Sequence, residues 1–222
     1  HYTAMWAHVA ERLGDHPAVI GFDLMNEPHP GSAWDGGEML GDEQGPDGEV
    51  AAFDAERLGP FFQRCIDAIR EVDGDTWLLY EPRYGAPGNG SPSWIPPLVD
   101  PREGEPRIGF ATHLYSVRLE VTQSYGASDP TVLEWEERRA IDVDRQKAPL
   151  FLGEWGLDPT WAGADRFMDD VLTMIDRAGG SWTYWSWDPG GWSFVEPDTL
   201  QERQSIEFFV RTYPQRVAGR PI

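Results

Sequence analysis

The sequence holds a single cysteine, Cys65, so no disulfide can form within the chain. It sits in the largely apolar run Phe61-Phe62-Gln63-Arg64-Cys65-Ile66, which suits a small buried thiol better than a reactive one. Lysine is equally scarce: Lys147 stands alone, and arginine makes up the rest of 18 basic residues against 38 acidic ones. The resulting net charge of −20 argues against nucleic acid and against an anionic membrane surface, because both need a basic footprint. An uncharged ligand fits better. No run approaches the roughly 18 consecutive apolar residues of a membrane span, and the start lacks the basic-then-apolar form of a signal peptide. Stable membrane insertion is therefore not expected. A secreted or extracellular setting is, with any signal upstream of His1, and a cytoplasmic one stays open; nothing in the sequence speaks to oligomeric state.

What is present is enough for one sizeable core: 222 residues, 40% apolar and 13% aromatic. Apolar residues Met5, Trp6, Val9 and Leu13 recur at three- and four-residue steps and predict a helix over 2–13, ended by Gly14. The nearly continuous apolar run Val19 to Met25 reads as a parallel strand covered on both sides, stopping at Asn26-Glu27-Pro28. Residues 29–50 are rich in glycine, proline and acid and read as a long loop. A helix is expected from about Val50 to Val72, then a strand at Trp77-Leu78-Leu79-Tyr80 ending at Glu81. Residues 82–107 show no clear helix. Next come a strand at Ile108–Thr112 delivering His113 and Tyr115, a helix over 131–146, and a strand at Leu150-Phe151-Leu152 leading into Gly153-Glu154-Trp155-Gly156. Asp165 is placed to cap a helix carrying Phe167, Met168, Val171, Leu172 and Ile175, which a Gly179-Gly180 turn joins to a strand over 181–187. A last helix is expected over about 200–211. Such alternation of strand and helix points to an α/β fold with a parallel sheet and helical crossovers.

Each of the five strands ends in residues that suit a site better than a core: Asn26 with Glu27, Glu81, His113 with Tyr115, Glu154, and Trp185 with Trp187. In barrels the active site gathers at the C-terminal ends of the strands, so these residues would converge. Glutamates at three of the ends, with no lysine among them, suggest carboxylate chemistry on a neutral substrate. The remaining histidines, at 1, 8, 16 and 29, show no ligand spacing, so neither a metal nor a cofactor is expected. Glycoside hydrolysis needs two carboxyls facing one bond, one to protonate the leaving oxygen and one to attack the anomeric carbon. Glu27 and Glu154 could supply both: the charge of Glu154 would disfavour ionisation of Glu27, while hydrogen bonds would hold Glu154 ionised. Asn26 could bond the sugar 2-hydroxyl. His113 and Tyr115, two apart on one strand, share a face and could orient the acid and donate to the nucleophile. Trp185 and Trp187 share another face, and Trp185 is the better candidate for the flat floor on which a sugar ring stacks. Glu81 is a candidate for holding a sugar hydroxyl, or an arginine behind the site.

The segments Asp23-Leu24-Met25-Asn26-Glu27-Pro28, His113-Leu114-Tyr115, Gly153-Glu154-Trp155-Gly156 and Tyr184-Trp185-Ser186-Trp187, in that order, resemble glycoside hydrolase family 5. The resemblance implies a (β/α)8 TIM barrel with Glu27 as acid/base on strand four, His113 and Tyr115 as the strand-six pair, Glu154 as nucleophile on strand seven and Trp185 as the strand-eight platform. Strands one to three would then precede His1, and residues 1–222 would be the C-terminal part of a single catalytic domain, an incomplete barrel of about strands four to eight. Expressed alone, such a piece is expected to be inactive and poorly soluble, with its outer strands left as edges. Tyr80-Glu81-Pro82 and the closing run from Tyr213 to Gly219 look most like the endoglycoceramidases of that family. The implied activity is that of a retaining β-glycosidase cutting between a glycan and a lipid aglycone. A glucanase, mannanase or steryl glucosidase, or a silent carbohydrate-binding protein, are the alternatives, with a carbohydrate or glycolipid as the ligand in each case.

Overall fold

A computed structural model describes residues 1–31, 48–84, 92–188 and 190–210. Helix α1 (Tyr2–Leu13) leads into strand β1 (Gly21–Asp23). Helix α2 (Glu49–Phe53), a π-helical turn (Asp54–Leu58) and helix α3 (Gly59–Arg70) then lead to β2 (Trp77–Tyr80). Strand β3 (Ile108–Leu114) follows, with the short helix α4 (Val117–Thr122), α5 (Thr131–Gln146), β4 (Leu150–Trp155), α6 (Ala164–Ala178) and β5 (Ser181–Trp182). All five strands are parallel and lie side by side in chain order. They form one half of a (β/α)8 barrel, with a helical crossover on the outside between β1 and β2, β3 and β4, and β4 and β5.

Alternation along each strand separates two faces. On the outer face, Leu24, Leu78, Tyr80 and Phe110 pack against Phe62, Ile66 and Ile69 of α3. Further along, Leu152 and Trp155 pack against Phe167, Leu172 and Ile175 of α6. The opposite residues, among them Asp23, Leu79, Glu81, His113 and Phe151, line a cavity of ≈ 840 Å³ on the inner face. Polar pairs buried under the helices tie the connections down. Tyr80 donates to Oε1 of Gln146 at 3.0 Å, and Gln146 donates in turn to the carbonyl of Ile95 at 2.6 Å. Asp54, in the π-helical turn, accepts from Arg83 at 3.0 Å and from the N–H of Trp94 at 2.8 Å, fixing the segment that follows Glu81.

Five expectations need correction. The first strand is Gly21–Asp23 rather than 19–25, because β1 pairs only with β2 and Ile20 projects 82% exposed. The strand expected over 181–187 holds strand geometry only at Ser181–Trp182. The helix after β1 is interrupted by its π-helical turn. Gly163, at φ 76°, is the N-cap of α6, and Asp165 lies inside the first turn. The last helix is a 3-10 turn over Gln204–Phe208: Glu196 and Arg203 bond the backbone of Gln201 and Phe194, which holds residues 201–203 extended and delays the turn. Helix α4 was not expected; Ser116, whose hydroxyl accepts from the Leu119 N–H, is its N-cap. Residues 32–47 of the expected long loop and the closing run 213–219 lie outside the described residues.

Removing Asp54 should take from the buried Arg83 guanidinium the carboxylate oxygen it meets at 3.0 Å. Asp54→Ala is expected to lower the unfolding free energy by about 3–5 kcal/mol, read from urea unfolding midpoints beside the parent protein. A loss within experimental error would mean that this pair does not anchor the connection.

Candidate active site

Helix α1 fixes the end of β1: Tyr2 Oη and Trp6 Nε1 both donate to the carbonyl of Leu24, at 2.7 and 3.0 Å. Three residues later the chain turns sharply, with Glu27 at φ 40°, a left-handed conformation that costs a non-glycine residue about 1–2 kcal/mol. The turn is held by the Glu27 N–H, which donates to Oε2 of Glu81 at 2.7 Å, and by Tyr84 N–H donating to the carbonyl of Pro28 at 2.8 Å. Glu27 therefore points back over the strand ends rather than out into solvent.

On β4 a bulge decides the geometry. Thr112 pairs with Leu152, but His113 pairs with Glu154, so Gly153 is the extra residue. Leu152 faces the outer core; strict alternation would send Glu154 outward with it. The inserted residue reverses the parity, so that Glu154 lines the inner cavity while Trp155 is fully buried under α6. An oxygen of Glu27, a nitrogen of His113 and an oxygen of Glu154 then lie within 4.8 Å of one another.

The partners of the two carboxyls come from β3 and its end. His113 Nδ1 is 2.9 Å from Oε1 of Glu27 and 3.6 Å from Oε2 of Glu154, and its Nε2 is 3.3 Å from Oε1 of Glu81. Tyr115 donates its hydroxyl to Oε2 of Glu154 at 2.9 Å. Trp135 of α5 donates to the carbonyl of His113 at 2.8 Å and anchors the strand beneath. Burial alone would disfavour a charge on His113. The hydrogen bonds to Glu27 and Glu81, with the charges of Glu81 and Glu154, outweigh it and push the imidazole up to about 10. Burial raises the carboxyl of Glu154; the charge of His113 and the Tyr115 hydroxyl pull it down, and Glu27 and Glu81 push it back up. Its hydrogen bond acts as anticipated, but burial and the acidic neighbours win and the carboxyl sits above its ordinary range.

Three atoms so close could in principle hold a cation. Both ring nitrogens of His113, however, already face carboxyls, Nδ1 that of Glu27 and Nε2 that of Glu81.

Comparison with known proteins places this geometry. The family model described as Cellulase (glycosyl hydrolase family 5) matches residues 1–191. The chain belongs to glycosyl hydrolase family 5. Endoglycoceramidase I of Rhodococcus hoagii (strain 103S) is 27% identical over 99% of this chain and 42% of its own length. Endo-glycoceramidase II from Rhodococcus sp., solved as a ganglioside GM3 complex, superposes with a TM-score of 0.86 at 34% identity, covering all of this chain and 47% of that one. The same protein solved as a lactosyl-enzyme intermediate gives a TM-score of 0.82 at 34% identity, covering all of this chain and 46% of that one. The chain thus spans less than half the length of these relatives.

Within this family 5 half-barrel the residues singled out from sequence do not all land together. Glu27, His113, Tyr115 and Glu154 form one connected cluster, and Asn26 is exposed at the wall of the same cavity. Glu81 is 1% exposed, and among the described residues it bonds the Glu27 N–H and faces His113. Trp185 stands half exposed beyond β5, its N–H on the carbonyl of Trp155 at 3.0 Å, and its peptide bond to Ser186 is cis. Trp187 is 64% exposed, its ring 6.2 Å from that of Phe194, and neither tryptophan lies in strand geometry, so they do not share a strand face. Gly156 allows the close approach at Trp185, since a Cβ there would lie 2.4 Å from the Trp185 carbonyl oxygen. Two residues went unnoticed in the sequence. Asp23 had a signal, because the period of two that sets Leu24 outward sets Asp23 inward, beside Glu81. Trp192, whose ring lies 5.5 Å from that of Tyr115, comes from an irregular loop with no periodicity to read.

The cluster should make stability fall as pH rises. For His113 the folded value lies above the ordinary 6.5, so its contribution is complete below pH 6.5 and is lost as pH climbs through about 10. Asp23 is exposed on the open inner face, yet crowding by surrounding protein, then the charge and hydrogen bond of Glu81, push it from 3.8 up to about 8. Its contribution is complete below pH 3.8 and is lost as pH climbs through about 8. Melting temperatures measured from pH 4 to 10 should fall, and Asp23→Asn should flatten the part below pH 8. Parallel curves for parent and variant would show that Asp23 does not hold the extra proton.

Proposed function

We propose that this chain carries the catalytic pair of a retaining β-glycosidase of the endoglycoceramidase kind, which hydrolyses the bond between a glycan and a lipid aglycone by double displacement. The observation that carries the reading is the closeness of the two carboxyls: their nearest oxygens lie within 4.8 Å, whereas an inverting pair needs about 6.5–9.5 Å to admit water. In this reading Glu154 attacks the anomeric carbon as Glu27 gives its proton to the departing glycosidic oxygen, and the lipid alcohol leaves. Glu27, now a carboxylate, takes a proton from water, which attacks the same carbon from the face the aglycone left, breaks the bond to Glu154 and frees the sugar. Net configuration is retained.

The neighbours suit these roles. The Tyr115 hydroxyl supports the ionised form of Glu154 before attack. His113 fixes the Glu27 carboxyl on the side facing Glu154. Asn26, exposed beside Glu27, is in place for the sugar 2-hydroxyl, and the half-exposed Trp185 offers its ring as the floor of the sugar site. The glycolipid is supported by the likeness to endo-glycoceramidases, one of which was solved with ganglioside GM3 and as a lactosyl-enzyme.

Two variants of the full-length protein separate the roles. Glu154→Ala should lose hydrolysis by at least about 10⁴-fold, and azide should restore part of it as a glycosyl azide of inverted configuration. Glu27→Ala should lose natural glycolipid but keep substrates whose leaving groups need no proton, and azide should then give the retained product. Inverted azide product from Glu27→Ala would reverse the two assignments. Preference for cello-oligosaccharides over a lactosyl glycolipid would move the substrate to a glucan.

A further inference from the structure

The carboxyl of Glu81 takes no part in the displacement steps, yet it is buried and three groups converge on it. Oε2 accepts the main-chain N–H of Glu27 at 2.7 Å, Oε1 lies 3.3 Å from Nε2 of His113, and the carboxyl of Asp23 shares a hydrogen bond with it. With 2% of its side chain exposed, Glu81 cannot exchange these contacts for water. We infer that Glu81 is a positioning residue: from the end of β2 it holds the backbone of Glu27 in its left-handed turn and the ring of His113 in its orientation, and so sets where the Glu27 carboxyl stands.

The two oxygens divide the work. One restrains the turn, where φ 40° is a conformation that Glu27 would leave if its N–H were released. The other faces the far nitrogen of the imidazole whose near nitrogen meets Glu27, so the ring bridges the two carboxylates and cannot rotate without breaking both contacts. Asp23, pushed up to about 8 by crowding and by the charge of Glu81, carries a proton at neutral pH and can donate it to Glu81, steadying the carboxylate from the third side. The titratable groups that face Glu81 and His113 are Asp23 from β1, Glu27 from the turn after it, Tyr115 after β3 and Glu154 from β4. All but Tyr115 are acids, so deleting the charge of Glu81 lowers the proton affinity of the whole group.

The test uses the full-length protein. Glu81→Gln keeps shape and one acceptor but removes the charge and turns an amide donor toward His113. It should lower kcat at least about 10-fold with KM within about 3-fold, and move the alkaline limb of kcat/KM down by about one pH unit. The ¹⁵N NMR titration of His113, read without substrate, should move down by at least about one unit in the same variant. Glu81→Asp keeps the charge but cannot reach both partners, so it should lower kcat while leaving the limb near its parent position. A Glu81→Gln protein with the parent limb and the parent His113 titration overturns the inference, whatever its stability; should that variant fail to fold, a parent-like kcat in Glu81→Asp overturns it. The kinetic arm rests on the glycosidase reading, whereas the NMR arm does not: a parent protein that cleaves no glycoside but shows the His113 shift removes the function and keeps the positioning role.

Discussion

A single buried imidazolium among three carboxylates is the interaction on which the rest of this site depends. Any two of Glu27, Glu81 and Glu154 would repel one another at these distances when ionised, and Glu81 is almost wholly withdrawn from water. The proton on His113 compensates them, and the carboxylates in turn keep the proton there against burial, up to about pH 10. Neither half is tenable alone. A buried charge without its partners costs several kcal/mol, so each half steadies the other.

That requirement explains where the histidine sits. It lies on β3, the central strand of the five, every residue of which is buried, and its carbonyl is pinned by Trp135 from the helix layer. The acids reach it from both sides: Glu27 and Glu81 from β1 and β2, Glu154 from β4. Rigid strands thus hold the geometry, and loops contribute only Tyr115 and the turn at Glu27.

The same strands show how a one-residue irregularity can carry a site. Without Gly153 as the extra residue, Glu154 would share the outward direction of Leu152 and meet the apolar layer of α6. The bulge turns it inward and at the same step drives Trp155 into that layer, against Phe167 and Tyr184. One insertion thereby supplies both the inward acid and the largest aromatic of the outer core.

Much of this was legible in the chain itself. Apolar periodicity located α1, α5 and α6 and the five strands, because burial of one helix stripe or a two-sided strand leaves its period in the residues. The acids and aromatics at the strand ends stood out because apolar strands do not otherwise stop at such residues. What sequence could not decide is orientation and partnership. Whether Glu154 faces in or out depends on register with β3, a relation between residues about forty positions apart that no local period records. The bonds of Glu81 to the Glu27 N–H and towards His113 could not be read from the chain, since burial and hydrogen-bond partners exist only once β1, β2 and β3 lie side by side. The closing helix became an extended segment and a 3-10 turn because its backbone was taken by Phe194 and Glu196. Residue type and local pattern determined the chemistry available to this protein; long-range pairing decided which of those groups meet, because hydrogen bonds and charges act through space and not along the chain.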